Sequence, residues 1–247
     1  MLTGMFHVRL LGIFLWALVV SVIGLIACLI FPRHANLLTY WVRALGWGVL
    51  KCAGIRIQLE GAEYFYAEGP MLYLINHQSA FDIPVFGSIS PLRTTVVGKA
   101  EVKFIPVVGQ FFWLAGAFLI NRKDRAQSIR ELNKAVEKIH RKKLNLAMAP
   151  EGTRNPDSLT LLPFKKGPFY LAIQAQIPII PTLCSYQSPL VSFEKKRFRS
   201  GTLVVRALKP IPTKGLTESS VNELLEKTHQ LMVNAYVEIS QSAATSL

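Results

Sequence analysis

The stretch that decides the fold is residues 71–82, which read MLYLINHQSAFD. Its first five residues form an apolar run that predicts a buried strand, and Pro84 fits the first turn of a following helix. Between the two lies a short polar loop that begins with Asn76 and ends at Asp82. Because open α/β sheets bind ligands at the carboxyl ends of their strands, we expect a functional site in this loop.

This loop pairs the imidazole of His77 with the carboxylate of Asp82, five residues later. A carboxylate that holds one ring nitrogen leaves the other free to take a proton from a hydroxyl group. An alcohol is a poor nucleophile until a base removes that proton. The alternatives are a plain N-cap for Asp82 and an ordinary turn position for His77, and the spacing alone does not decide between them.

The chain after residue 54 alternates between strand-like and helix-like segments. Capping-box pairs at Asp124 and Gln127 and at Ser220 and Glu223 open two predicted helices, and residues 167–176 form a third. Strands are predicted at 55–59, 71–75, 94–98, 117–120, 145–149, 179–185 and 202–208. This order predicts an α/β fold, with a mixed and largely covered β-sheet flanked by helices.

The N-terminal segment carries a long apolar run. Residues 10–31 contain no charged side chain. As a helix they would be about 33 Å long, which matches a bilayer core. The run is longer than the apolar part of a signal peptide, and no Ala-x-Ala cleavage site follows it. We therefore expect a retained membrane helix.

A second helix is expected over residues 37–54, where Arg43 and Lys51 stand near two tryptophans. This composition fits an interfacial helix or half of a shallow hairpin, and equally an amphipathic helix packed on the domain. We predict a membrane anchor over 1–54 and a catalytic domain over 55–247. Nearly all the remaining charge follows residue 55, so we expect the catalytic domain to face the cytoplasm, at the inner membrane if the cell is bacterial.

The composition narrows the classes of partner. With 51% apolar and 17% charged residues among 247, the chain can bury a core and is not a disordered protein. A net charge of +13 suits nucleic acid, an anionic membrane surface, or a phosphorylated or CoA-bearing substrate. Basic and aromatic residues are not interleaved as on a nucleic-acid platform, so we expect no nucleic-acid partner. The scattered cysteines and histidines predict no disulfide framework and no metal site.

Three other basic segments stand at the ends of predicted elements. Arg122 and Arg154 follow apolar strands and would lie on the same sheet edge as His77, and an arginine fork suits phosphate. Lys165 and Lys166 open a predicted helix, whose N-terminus also favours anions. The alternative for all of them is a solvated basic face. Residues 177–182, IPIIPT, predict a strand entered through a rigid turn, either lining an apolar pocket or packed in the core.

Four segments, in this order, resemble the motifs of the glycerolipid acyltransferase family, in particular its 1-acylglycerol-3-phosphate acyltransferases. NHQSAFD (76–82) and PEGTR (150–154) match the first and third motifs in full, and IPIIPT matches the fourth. GAFLINR (116–122) matches the second in its Phe and Arg. The resemblance is close over 72–181 and loose over the N-terminal anchor. Asn121 and Ala149 stand where the family often has Asp and Phe, which leaves the exact acceptor open.

The resemblance implies roles for the motif residues. It implies that His77 is the general base and Asp82 its partner, at one end of a hydrophobic acyl groove. It also implies that the acceptor, with an arginine on its phosphate, is bound by Arg122, Glu151, Gly152, Thr153 and Arg154, beside the basic pair Lys165 and Lys166. The donor would be acyl-CoA or acyl carrier protein, with no metal or other cofactor.

The expected reaction is acylation of the sn-2 hydroxyl of 1-acylglycerol 3-phosphate, because the PEGTR form favours this acceptor within the family. The product would be phosphatidate, an intermediate of phospholipid synthesis, and membrane lipids would surround the enzyme. An acyl-enzyme is not expected, since the chain has no Gly-x-Ser-x-Gly and no cysteine within a motif. The alternatives are a related acyltransferase for another lysolipid or an amino-acid lipid, and a non-enzymatic membrane-bound lipid-binding module.

Overall fold

The computed structural model describes residues 2–32, 34–104, 108–120, 125–155 and 160–245. Two long helices come first, α1 (Leu2–Ile30) and α2 (Leu37–Ala53). The first half of the α/β part follows as β1 (Ile55–Glu60), α3 (Ala62–Phe65), β2 (Leu72–Ile75), α4 (Asp82–Ile89), β3 (Thr94–Lys99), a 3-10 turn (Ala100–Phe104), α5 (Val108–Leu114), β4 (Phe118–Ile120) and α6 (Arg125–Lys142). The second half is β5 (Asn145–Met148), α7 (Gly167–Ala175), β6 (Ile179–Cys184), β7 (Val191–Ser192), β8 (Arg197–Phe198), β9 (Gly201–Ala207), another 3-10 turn (Glu218–Ser220) and α8 (Val221–Thr245).

Among the described residues, seven strands form one sheet in the order β1-β9-β6-β2-β5-β3-β4. The five strands from β6 to β4 are parallel, β9 runs antiparallel to β6, and β1 runs parallel to β9. The mixed α/β fold predicted from the alternating segments is confirmed. Because β6, β2 and β5 are parallel neighbours, the loops that leave their carboxyl ends meet at one edge of the sheet.

The central strands are covered on both faces. Every residue of β6 is buried, and Leu72, Tyr73 and Leu74 of β2 are buried too. This is the burial expected where helices cover both faces of a parallel sheet, and it explains why these strands read as continuous apolar runs. A rigid sheet of this kind can hold its loop residues in fixed positions.

Helix α1 packs against the rest of the protein over most of its length. Phe6 stacks on Phe198 with ring centroids 5.0 Å apart, and Trp16 Nε1 donates to the Ala44 carbonyl at 2.9 Å. Farther along, a Cβ on Gly24 would lie only 2.8 Å from atoms of Trp41 and Phe111. Eighteen residues separate Phe6 from Gly24, so these contacts extend over about 27 Å of helix.

The opposite side of α1 is an exposed apolar face. Its exposed side chains include Leu11, Phe14, Leu15, Leu18, Val19, Val22, Ile23 and Ile26. Residues Met5–Ile30 are long and apolar enough to cross a membrane by length and composition. A soluble monomer rarely exposes a continuous apolar surface of this kind, so this face is suited to contact with lipid.

Helix α2 is buried between α1 and the sheet domain. Its side chains Trp41 and Leu45 belong to the same buried cluster as Phe81 and Val85 beside the first motif. Its exposed side chains include Tyr40 and Trp47. The division into an anchor over 1–54 and a catalytic domain over 55–247 stays a prediction, since the two parts share this core.

Helices α2 and α4 are closely packed at Gly46. A Cβ there would lie 2.5 Å from the Pro84 carbonyl oxygen and 2.7 Å from the Ser88 nitrogen. We expect Gly46→Ala to lower the free energy of unfolding by about 1 to 3 kcal/mol, because backbone atoms must shift. Thermal unfolding in detergent measures this change.

Gly12→Ala in α1 is the matched control, because its added Cβ would meet Cys52 Sγ at an ordinary 3.5 Å. Alanine is favoured over glycine inside helices, so this variant should be neutral or slightly stabilised. Equal unfolding temperatures for the two variants would contradict a close α2–α4 crossing.

Candidate active site

Asp82 is the buried centre of the first motif. It is the first residue of α4, and its Oδ2 accepts backbone N–H groups from Gln78 at 2.8 Å and Ser79 at 3.0 Å. The N-cap position of α4 belongs to Phe81 and not to Asp82. The carboxylate therefore holds the loop that precedes its helix, which also places the ring of His77 beside it.

The ring of His77 meets this carboxylate directly. His77 Nδ1 lies 2.7 Å from Asp82 Oδ2, while the His77 side chain keeps 27% of its surface exposed. Since the same oxygen already accepts two backbone N–H groups, we assign the proton of the pair to Nδ1, which donates to Asp82. This tautomer leaves Nε2 with a lone pair, as a general base requires.

Two amide side chains fasten the same loop to the end of β6. Asn76 is fully buried, donates from Nδ2 to the Cys184 carbonyl at 3.0 Å, and accepts the Cys184 N–H at 2.9 Å. Gln78 Nε2 donates to the carbonyls of Cys184 at 3.0 Å and Ser185 at 3.1 Å. Much of the NHQSAFD motif thus serves to fix the loop that carries His77.

The third motif holds the backbone of His77 from the other side. Glu151 follows β5 and is only 2% exposed; its Oε1 accepts the His77 N–H at 2.8 Å and its Oε2 accepts the Leu162 N–H at 3.0 Å. The Asn155 N–H donates to the His77 carbonyl at 2.8 Å. Next to Glu151, Gly152 has φ +73°, a left-handed conformation that glycine adopts without strain.

The other predicted acceptor-binding side chains that the structure describes lie around this third-motif turn. Thr153 and Arg154 are exposed, as are Lys165 and Lys166 at the start of α7. The turn is closed by the Lys165 N–H, which donates to the Pro150 carbonyl at 2.7 Å. Arg122 lies outside the described residues. The structure thus brings both Asp82 and Glu151 into contact with His77 and places the turn that carries Arg154 beside them.

Sequence reasoning missed one residue of this cluster, Gln187, whose Nε2 donates to Asp82 Oδ1 at 2.6 Å. The available signal was its place three residues after the strand that ends at Cys184, on the edge that carries His77. The Cys184 thiol lies nearby, 3.6 Å from Gln187 Nε2, and burial raises its pKa. A buried, protonated thiol is a poor nucleophile, and the absence of an acyl-enzyme stays a prediction.

Comparison with known proteins places this site in a family. A sequence model described as acyltransferase matches residues 56–185, more than half of the chain, including His77, Asp82 and the PEGTR turn. The chain belongs to this acyltransferase family. The acyltransferase is 40% identical over 228 residues to the 1-acyl-sn-glycerol-3-phosphate acyltransferase of Saccharomyces cerevisiae, covering 91% of this chain and 74% of the yeast protein.

A human relative agrees with this assignment, and a solved structure shares the fold. The chain is 35% identical over 226 residues to human 1-acyl-sn-glycerol-3-phosphate acyltransferase beta, covering 90% of this chain and 80% of that protein. The fold matches the crystal structure of the 1-acyl-sn-glycerophosphate (LPA) acyltransferase PlsC from Thermotoga maritima, with a TM-score of 0.69 and 21% identity. That match covers 95% of this chain and 94% of the other. The family resemblance inferred from the four motifs is confirmed.

The buried carboxyl of Glu151 predicts a pH-dependent stability. Burial raises its pKa above the ordinary 4.5, against the opposing effect of the Leu162 and His77 N–H groups and of the His77 charge, while the Asp82 charge adds to the rise. The folded protein therefore keeps this proton at pH values where the unfolded chain has lost it. Accordingly, the free energy of unfolding should fall as the pH rises from 4.5 through the raised pKa.

Glu151→Gln tests this carboxyl by removing its titration. The variant should lack that pH-dependent loss and should be less stable by about 1 to 3 kcal/mol, because an amide has one acceptor oxygen for two N–H donors. Unfolding curves in detergent between pH 4.5 and 8 measure both effects. If the wild type and the variant show the same slope of stability against pH, the assignment to Glu151 is wrong.

Proposed function

We propose that this acyltransferase moves an acyl chain from acyl-CoA or acyl carrier protein to the sn-2 hydroxyl of 1-acylglycerol 3-phosphate. The product is phosphatidate, a precursor in phospholipid synthesis. The observation that carries the proposal is the 2.7 Å contact between His77 Nδ1 and Asp82 Oδ2. This contact leaves the other ring nitrogen of His77, Nε2, to act as a base. The names of the yeast and human relatives supply the acceptor.

In the proposed reaction, His77 Nε2 takes the hydroxyl proton as the acceptor oxygen attacks the thioester carbonyl carbon. The resulting His77 imidazolium ion is stabilised by the Asp82 carboxylate, which contacts it at Nδ1. The new C–O bond completes a tetrahedral intermediate, which then breaks its C–S bond. The departing sulfur takes the proton from His77, so the products are the ester and a free thiol, and the base is regenerated.

The acceptor phosphate would be held by cations around the third-motif turn. Arg154, Lys165 and Lys166 are exposed there, Thr153 offers a hydroxyl, and an arginine can bind two phosphate oxygens at once. Both oxygens of Glu151 already accept backbone N–H groups, so we assign Glu151 the part of shaping this turn around Gly152. Arg122 remains a predicted phosphate ligand that lies outside the described residues.

The exposed apolar face of α1 explains how a lipid acceptor could reach the base. With Tyr40 and Trp47 of α2, it forms a surface fit for the interface of a membrane. Because α1 is packed on the protein from Phe6 to Gly24, only its outer face is free for lipid. This packing favours an anchor embedded in one leaflet over an isolated spanning helix, with the basic catalytic side facing the cytoplasm.

The first test is thioester-dependent acylation of a panel of lysolipids in detergent or bilayers, with acyl-CoA and acyl carrier protein as alternative donors. We expect 1-acylglycerol 3-phosphate to be the preferred acceptor. We expect His77→Ala to lower kcat by about 10³-fold or more, because the hydroxyl loses its base.

Each outcome of that panel has a separate meaning. If another lysolipid or an amino-acid lipid is preferred, the proposed acceptor is wrong and the proposed mechanism stands. Full activity of His77→Ala would remove the general-base assignment. Binding of lipid without acylation of any acceptor would favour a membrane-bound lipid-binding module.

The second test concerns phosphate recognition. Arg154→Ala should raise the KM for phosphate-bearing acceptors by about tenfold or more, since a charged hydrogen bond contributes about 1.5 to 3 kcal/mol, and should change phosphate-free acceptors little. Arg141→Ala is the matched control, because this exposed arginine of α6 pairs with Glu137 near the opposite edge of the sheet. An equal loss on both kinds of acceptor would rule out a phosphate-binding role for Arg154.

A further inference from the structure

Gln187 makes the shortest contact to the buried carboxylate of the site. It lies in the loop after β6, is 2% exposed, and its Nε2 donates to Asp82 Oδ1 at 2.6 Å. This is the oxygen that does not hold His77. Hydrogen bonds from a buried donor to an ionised carboxylate are about twice as strong as those between neutral groups. The contact is therefore strong enough to change how much negative charge Asp82 presents to His77.

The orientation of the Gln187 amide is set by its neighbours. The Phe81 N–H donates to Ser79 Oγ at 3.0 Å, which leaves the Ser79 hydroxyl hydrogen to be donated to Gln187 Oε1, also at 3.0 Å. A flipped amide would place Oε1 against the Asp82 carboxylate with no proton between them. The hydrogen bonds thus run in one direction, from the Phe81 backbone through Ser79 and Gln187 to Asp82.

The backbone of Gln187 is held as firmly as its side chain. Its N–H donates to Gln78 Oε1 at 3.0 Å, and Gln78 itself is fastened to the carbonyls of Cys184 and Ser185. The loop after β6 and the His77 loop after β2 are therefore held together by hydrogen bonds next to Asp82. A side chain required only to fill space would not need this set of directed hydrogen bonds.

We propose that Gln187 is a positioning residue of the catalytic site, which fixes Asp82 and, by sharing its negative charge, moderates how strongly Asp82 stabilises the His77 imidazolium ion. The inference rests on the proposed general-base role of His77. Gln187 acts through Asp82 and donates no proton to the substrate. Without its N–H, more negative charge stays on the oxygen that faces His77, so His77 would hold its proton to a higher pH and act as a base only there.

Among the described residues, other ionisable side chains lie near this pair and are kept in a Gln187 variant. They are Glu151 after β5, whose carboxyl contacts the His77 backbone, Cys184 on β6, and Tyr236 on α8. The influence of Glu151 and Tyr236 is common to the wild type and to a variant. Cys184 loses its weak contact with Gln187 Nε2, but burial still raises the pKa of its thiol, so the thiol stays uncharged. A difference in the pH profile between the two proteins therefore reports on the Gln187 contact.

The main experiment compares Gln187→Met with the wild type in the full-length protein in detergent. Methionine has nearly the same length and volume but no amide donor. We expect kcat to fall by about ten- to hundredfold with KM nearly unchanged, because the base is less well placed. We also expect the acidic limb of kcat/KM to move up by about half a pH unit. Gln58→Met, an exposed glutamine on β1, is the matched control and should leave both unchanged.

A second variant covers the case in which Gln187→Met does not fold. Gln187→Glu keeps the shape and sets a carboxyl against Asp82, so the two groups share a proton at low pH and repel each other as it is lost. The acidic limb should then move further up than in Gln187→Met. Unfolding temperatures within a few degrees of the wild type show that each variant is folded.

A readout that does not need turnover separates this inference from the proposed function. NMR titration of the His77 ring, assigned by its loss in His77→Ala, should show the same upward shift in the Gln187 variants. If the shift appears in a protein that acylates no lysolipid, the proposed function is wrong, while the effect of Gln187 on His77 through Asp82 stands. Folded variants with wild-type His77 titration would overturn the positioning role, whatever their activity.

Discussion

The structure of the site depends on one buried charge, the carboxylate of Asp82. A carboxylate removed from water must be surrounded by donors, and this one receives the N–H groups of Gln78 and Ser79, the ring of His77, and the amide of Gln187. Meeting that requirement fixes the loop before α4 in one conformation. The His77 ring is held in its tautomer and orientation as a consequence.

That arrangement is available only because β6, β2 and β5 are parallel neighbours. Each strand delivers a loop to the same edge, and the three loops are joined by hydrogen bonds between Asn76 and Cys184 and from the His77 N–H to Glu151. Several side chains of the motifs thus form hydrogen bonds to the backbone of a neighbouring loop.

The N-terminal helices lie between this site and an apolar surface that is suited to lipid. One face of α1 is packed by Phe6, Trp16 and Gly24, and the opposite face is apolar and exposed. α2 lies between α1 and α4, so the helix that begins with Asp82 is packed directly on the N-terminal helices. A lipid acceptor held by such a face would need to travel only along the surface of the protein.

The amino-acid sequence by itself determined the local features: the apolar strands, the long helices, and the His77–Asp82 pair in a loop between strand and helix. These follow from periodicity and short spacing, which act between residues close along the chain, although α5 and the short β7–β8 pair were not predicted. Only the tertiary structure decided the order of the strands, the burial of both Glu151 oxygens against backbone N–H groups, and the packing of α1. It also decided that Gln187, 105 residues beyond Asp82, completes the site. Such contacts depend on how remote strands pair, and no local pattern encodes that pairing.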